Sequence, residues 1–266
     1  MKPVTDKGSH ESILGFDVWA GGLSACIDDI VTRLRTEGQA PSCHWLACIN
    51  PHSYALTKHN EKFAQALRAA DWLIPDGIGI VLASRHQGGA IKARVTGSDI
   101  FQGLMSELNQ RAGRVFFLGS SQATLDAIRA RLALDFPSVK VVGMYSPPYT
   151  ESFSPEESDA MITMVNATRP DVLWVGLTSP KQDLWLHEHH QHLCVGFAAG
   201  IGAVFDFYAN TVKRSAPIFQ RLGLEWLPRL LREPRRLWRR MFISAPLFMW
   251  DVLKTAPSKA APKGKP

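Results

Sequence analysis

Seven short apolar runs, alternating with longer stretches of helical periodicity, constrain this chain most. The runs are ILGFDVW (13–19), HWLACI (44–49), DWLIP (71–75), RVFFLG (114–119), KVVGMY (140–145), DVLWVGL (171–177) and CVGFAAG (194–200). They are apolar almost throughout, so a sheet built from them must be covered on both faces. Segments 22–36, 54–69, 97–111, 121–135, 155–168 and 180–190 read as the covering helices. Three of these begin at cap signals. Ser121 precedes one, and Ser154-Pro155 and Ser179-Pro180 precede two others, with proline at the first helical position. This alternation predicts an α/β fold with a mostly parallel sheet.

Charge divides the chain. Residues 211–266 hold 13 of the 30 Lys and Arg but only 3 of the 24 Asp and Glu. Residues 1–210 are left mildly acidic. A domain boundary is therefore expected near 210: an α/β body over 1–210 and a basic appendage over 211–266. Seven arginines lie between Arg221 and Arg240, among Trp226, Leu230, Leu231, Leu237 and Trp238. Pro228 and Pro234 read as the starts of two short helices. On a wheel from Pro234 to Ser244, Arg235, Arg236, Arg239 and Arg240 share one face, and Leu237, Trp238, Met241 and Phe242 the other. That is the pattern of a helix in a membrane interface. A helix packed on the body, or a nucleic-acid patch, remains an alternative reading.

The four cysteines form neither a CxxC pair nor a zinc spacing, which suits unpaired thiols in a reducing compartment. The polar start MKPVTDKGSHES does not read as a signal peptide. MFISAPLFMW (241–250) is too short to span a bilayer, which takes about 20 residues. The Pro/Ala/Lys-rich end reads as disordered.

Parallel sheets bind ligands beyond the carboxyl ends of their strands. Asn50, Asp76-Gly77, Gly119-Ser120, Thr178-Ser179 and, one turn later, Gln182 stand at such ends. Asp76 reads either as a general base, with its pKa raised by partial burial, or as a helix N-cap; one residue can do both. In RVTGSD (94–99), Thr96, Ser98 or Asp99 can cap the next helix. Arg94 either grips a phosphate or pairs with Asp99. FLGSSQAT (117–124) is a weak phosphate-turn signal, neither a P-loop nor GxGxxG. HEHHQH (187–192) is not HExxH and reads as a solvated helix end. No Asp-x-Asp pair for a metal–nucleotide complex occurs.

Several motifs, in order, carry a resemblance: Asn50 after its strand, PDGIGI (75–80), RVTGSD (94–99), FFLGS (116–120), PDVLWVGLTSPKQDLW (170–185), GAVFDF (202–207), VKRSAP (212–217) and GLEWLPRLLREPRRLWRR (223–240). Together they resemble the WecG/TagA/CpsF glycosyltransferases, over about residues 13 to 248. The resemblance implies a Rossmann-like body with a basic, helical C-terminal appendage. It implies transfer from a UDP-sugar to a polyprenyl-diphosphate-linked sugar, with inversion and without an essential metal or other cofactor. Such an enzyme makes exopolysaccharide or another surface polysaccharide. It works as a peripheral protein on the cytoplasmic face of the bacterial inner membrane, held by its anionic surface. The transferred sugar is N-acetylmannosamine, its uronic acid or glucose.

Carried over, Asp76 is the base, Asn50 positions the acceptor or the base, and Arg94 and Gln182 lie near the diphosphate and donor sugar. Gly119 and Ser120 form the donor-side turn. Asp206 lies near the nucleotide and Tyr149 stacks on uracil. Arg229, Arg236 and Arg239 reach the lipid diphosphate. The chain departs from the family at Cys48, where threonine is common, at Asp183, where glutamate is, and at Thr178, where glycine is. No nucleic-acid partner is implied; self-association away from a membrane stays open. The alternatives are a non-catalytic membrane or nucleic-acid-binding module using the tail alone, and a nucleotide-sugar epimerase or dehydrogenase, which the missing GxGxxG disfavours.

Overall fold

The computed structural model describes residues 10–36, 43–211 and 238–255. Its centre is a six-stranded, wholly parallel sheet. The strands are β3 (His44–Ile49), β4 (Trp72–Pro75), β5 (Arg114–Gly119), β6 (Lys140–Tyr145), β7 (Val172–Gly176) and β8 (Phe197–Gly200), in the order β4-β3-β8-β7-β5-β6. All six were expected as strands. Residues 13–19 are not one strand: β1 (His10–Ile13) and β2 (Phe16–Trp19) form a separate antiparallel hairpin. Leu14 and Gly15 turn it with positive φ at both positions (50° and 82°), as a tight two-residue hairpin requires.

Side chains alternate across the sheet and build two cores. Trp45, Ala47 and Ile49 point to one face, with α2 (Pro51–Thr57), α3 (Glu61–Ala69), α4 (Ile78–His86), α7 (Pro155–Thr168) and α8 (Lys181–His189). Leu46, Phe117 and Trp174 point to the other, with α1 (Gly22–Thr36), α5 (Gly97–Gln110), α6 (Gln122–Asp135) and α9 (Val204–Tyr208). This period of two with apolar residues on both sides is why the strands read as unbroken apolar runs.

The helix expected over 54–69 is two. Asn50 caps α2, with Pro51 in its first turn, and Asn60 caps α3 by accepting from the Phe63 N–H at 2.9 Å. The caps expected at Ser121 and Ser154 are present, the second as a reciprocal box with Glu157. Ser179-Pro180 differs: α8 begins at Lys181 and has no side-chain cap.

Three helices, α4, α9 and one near the C-terminus, lie outside the segments expected to be helical. After a π-helical turn (Arg240–Ser244), α10 (Ala245–Lys254) packs against α2 and α4. Phe248 and Val252 are fully buried in the first core, and the Phe248 ring meets Tyr54 edge-on at 5.3 Å. The Tyr54 hydroxyl donates to Asp251 at 2.8 Å and Lys58 pairs with the same carboxylate. Burial of the two apolar side chains contributes about 1.5–3 kcal/mol each. Residues 245–254 of the expected appendage thus share the core of the α/β body. The helices expected from Pro228 and Pro234 lie, but for the last residues of the second, outside the described residues.

Candidate active site

A cavity of about 230 Å³ opens at the carboxyl ends of β3, β4, β7 and β8. The Asp76 N–H donates to the Ile49 carbonyl at 2.8 Å, which sets Asp76 beside Asn50 at the ends of neighbouring strands. Asn50 Oδ1 accepts from the N–H groups of His52 and Ser53 at 3.0 and 2.9 Å, while the Asn50 N–H donates to Ser53 Oγ. That oxygen is committed to capping α2; Nδ2 takes no part in the cap. Both residues line the cavity. Gly77, one residue after Asp76, occupies the N-cap position of α4. Gly77 sits at φ +114°, a conformation open to glycine, and lets the chain leave β4 with Asp76 in the cavity wall.

The opposite wall comes from β7 and the first turn of α8. Gln182 and Asp183 line the cavity, though only 4% and 2% exposed. Gly200 and Gly202 back them: a Cβ on Gly200 would lie 3.0 Å from Gln182 Nε2 and 3.2 Å from Asp183 Oδ1. Gln182 Oε1 is buried and has no hydrogen-bond partner among the described residues. Burial pushes the Asp183 carboxyl up to about 7, against hydrogen bonds from Ser179, its own N–H and Gln182 that favour the charged form. Burial also pushes the Cys48 thiol up, and Asp76 and Asp183 add to it. Those three groups therefore share one electrostatic neighbourhood.

The third wall is the start of α5. Thr96 caps it in a reciprocal box with Asp99, and Gly97 and Ser98 line the cavity. Asp99 is engaged in that box: its carboxylate accepts from the Thr96 N–H and hydroxyl. At the mouth, His52 Nδ1 lies 3.0 Å from Ser244 Oγ, which ties the C-terminal segment to the site.

Asp76, Asn50 and Gln182 are thus brought together. Arg94, Gly119, Ser120, Tyr149, Asp206 and Arg239 are not among the residues that line it. Half-buried Arg94 precedes the α5 cap, where the Val95 N–H holds the Pro75 carbonyl. Gly119 and Ser120 stand farther along the same sheet edge, packed on Gly176. Tyr149 is fully exposed on the loop after β6, and Lys181 braces that loop by donating to the Thr150 carbonyl at 2.8 Å. Asp206 is half-buried on α9. Arg239 is exposed beside Trp238, and Arg229 and Arg236 lie outside the described residues. His187, His189 and His190 are half-buried, with ring contacts to Trp45 and Trp185, so that helix end is not simply solvated. No group of three or more metal-ligating side chains occurs among the described residues.

The model of the glycosyl transferase WecG/TagA/CpsF family matches residues 11–261. The chain belongs to that family. It is 32% identical, over 82% of each chain, to the N-acetylglucosaminyldiphosphoundecaprenol N-acetyl-beta-D-mannosaminyltransferase of Bacillus spizizenii W23. It is 28% identical, over 83% of each chain, to the protein of the same name from Bacillus subtilis 168. Within this WecG/TagA/CpsF member, the three departures from the family pattern, Cys48, Thr178 and Asp183, all line the cavity. Thr178 sits at φ +64°, a left-handed conformation that favours glycine, which gives the glycine common there a physical reason. Asp183 was not foreseen as a site residue. Its signal was its place next to Gln182 in the first turn of a helix.

Proposed function

We propose that this protein moves a sugar from a UDP-sugar onto N-acetylglucosamine linked to a polyprenyl diphosphate, in bacterial surface-polysaccharide synthesis. The observation that carries this is the meeting of Asp76, Asn50 and Gln182 in one cavity at the carboxyl edge of the sheet, in a chain of this family. Both relatives are named for that acceptor and for N-acetylmannosamine, so UDP-N-acetylmannosamine is the first donor to test.

The reaction is a single inverting displacement. Asp76 takes the proton from an acceptor hydroxyl. Its oxygen forms a bond to the anomeric carbon as the bond to the β-phosphate oxygen breaks, and the electron pair leaves with UDP. Asn50 Nδ2 orients the acceptor or the base. Arg94 and the amino end of α5 stabilise the charge on the departing phosphate. Gly119, Ser120, Tyr149 and Asp206 hold the nucleotide along the same sheet edge. Arg229, Arg236 and Arg239 hold the lipid diphosphate, so that much of the rate comes from positioning.

The enzyme works on the cytoplasmic face of the membrane as a peripheral protein. No helix among the described residues is long and apolar enough to cross a bilayer. Trp238, Phe242, Ile243, Trp250 and Leu253 of the C-terminal segment are all exposed, beside exposed Arg239. Aromatic and basic groups on one segment suit an anionic lipid surface. For the catalytic reading, Asp76→Asn is expected to lower turnover by about 10²–10⁴-fold while leaving UDP-sugar binding intact. Near-normal turnover would remove Asp76 as the base.

A further inference from the structure

The connection between α4 and α5, residues 87–96, carries Arg94 and delivers Thr96 to the cavity wall, yet it has no helix or strand of its own. Its shape therefore depends on anchors for its backbone. One lies beside the site, where the Val95 N–H donates to the Pro75 carbonyl at 2.9 Å. Another comes from outside the central sheet. Glu11 of β1 reaches over α4, and its Oε2 accepts from the Ala90 N–H at 2.8 Å, the Ile91 N–H at 3.2 Å and the Ser84 hydroxyl at 2.9 Å. Ser84, fully buried, also accepts from the Ile91 N–H at 3.0 Å.

This anchor is built, not incidental. A carboxylate bonds backbone N–H groups about twice as strongly as a neutral acceptor does. The hairpin that presents it is seated in the first core by Ile13, Phe16 and Val18. Gly89 lies so close that a Cβ there would collide with Glu11 Oε1, which is buried and has no hydrogen-bond partner among the described residues. Between the anchored, buried Ile91 and Val95 stand only Lys92, Ala93 and Arg94. Without the Glu11 bonds, Arg94 is held from the Val95 side alone. A misplacement of 1 Å at a charge-stabilising group can cost about 10²-fold in rate.

We propose that Glu11 is a positioning residue for the transfer reaction: by holding residues 90 and 91 it sets Arg94 against the diphosphate of the donor and of the departing UDP. The β1–β2 hairpin, outside the central sheet, thereby has a part in the site. The proposal rests on the glycosyl-transfer reading above and deepens it.

The test is UDP binding to the full chain by titration calorimetry, together with steady-state kinetics. Glu11→Ala is expected to weaken UDP about tenfold and to raise donor KM by a similar factor, with the KM for the polyprenyl-diphosphate acceptor unchanged. A merely structural loss would lower the binding stoichiometry and kcat through the folded fraction, and leave both KM values in place. Glu11→Gln keeps an acceptor oxygen and is expected to stay within about threefold of wild type. Gly89→Ala keeps the carboxylate but displaces it, and is expected to reproduce the Glu11→Ala loss. In an Arg94→Ala background, Glu11→Ala should weaken UDP by less than about twofold more, because both changes act on one contact. Unchanged UDP affinity in folded Glu11→Ala, a loss as large in the Arg94→Ala background, or an equal rise in acceptor KM would overturn the proposal. Failure of the wild-type protein to bind UDP would instead count against the reading of function.

Discussion

Replacing Asp183 by Asn gives a stability change whose sign and pH window follow from burial. The carboxyl is carried from an ordinary value of 3.8 up to about 7 in the folded protein. Between those values the unfolded chain has lost the proton and the folded chain still holds it. Folding then takes up a proton, so wild-type stability falls as pH rises through this window and levels off above about 7. Each unit of difference is worth about 1.4 kcal/mol, so the carboxyl costs about 2 kcal/mol at pH 5 and about 4 kcal/mol at pH 8. Asn cannot ionise, and any packing difference it introduces is the same at both pH values. The stability of Asp183→Asn relative to wild type should therefore improve by about 2–3 kcal/mol between pH 5 and pH 8. Urea unfolding followed by circular dichroism, with equal m-values for the two proteins, measures it. A difference that stays constant with pH, or shrinks, would refute the dominance of burial over hydrogen bonding at this carboxyl.

Other substitutions test the surrounding structure. Phe248→Ala removes a fully buried ring between α2 and α4 and is expected to cost about 3–5 kcal/mol in the same unfolding assay; a loss under about 1 kcal/mol would mean that α10 is not part of the core. Gly200→Ala places a methyl group 3.0 Å from the Gln182 amide, so donor KM should rise severalfold in a protein that still folds; unchanged donor kinetics would contradict the contact. Thr178→Gly relieves a left-handed β-branched residue at a cost in chain entropy, and should be neutral or stabilising by up to about 1 kcal/mol. A clear loss of stability would contradict that backbone.

Most of the body was legible because each central strand is apolar on both faces, and the composition of a buried parallel strand survives in one dimension. Residues 13–19 misled for a local reason: Leu14-Gly15 is a turn, but the apolar pattern runs through it without a break. The split of 54–69 follows from Asn60, whose cap starts a second helix three residues after the first, capped by Asn50, ends at Thr57. Helix α10 was hidden by Pro246, which reads as a breaker but stands in the helix's first turn.

The site was legible to the extent that strand ends mark it. Asn50, Asp76 and Gln182 each follow a strand closely, and sheet order brings β3, β4 and β7 around β8. Asp183 was not legible as a site residue, since its chemistry comes from burial behind Gly200 and not from its type. Arg94, Tyr149 and Asp206 flank the cavity without lining it, a distinction that depends on side-chain direction and leaves no trace in spacing.

The central claim is tested most directly by incubating the full chain with UDP-N-acetylmannosamine and polyprenyl-diphosphate N-acetylglucosamine, then characterising the lipid product by mass and by the configuration at the new anomeric centre. The account predicts a lipid-linked disaccharide with inverted configuration, formed in step with release of UDP. No lipid-linked product from any UDP-sugar, or a product that keeps the donor's anomeric configuration, would contradict it.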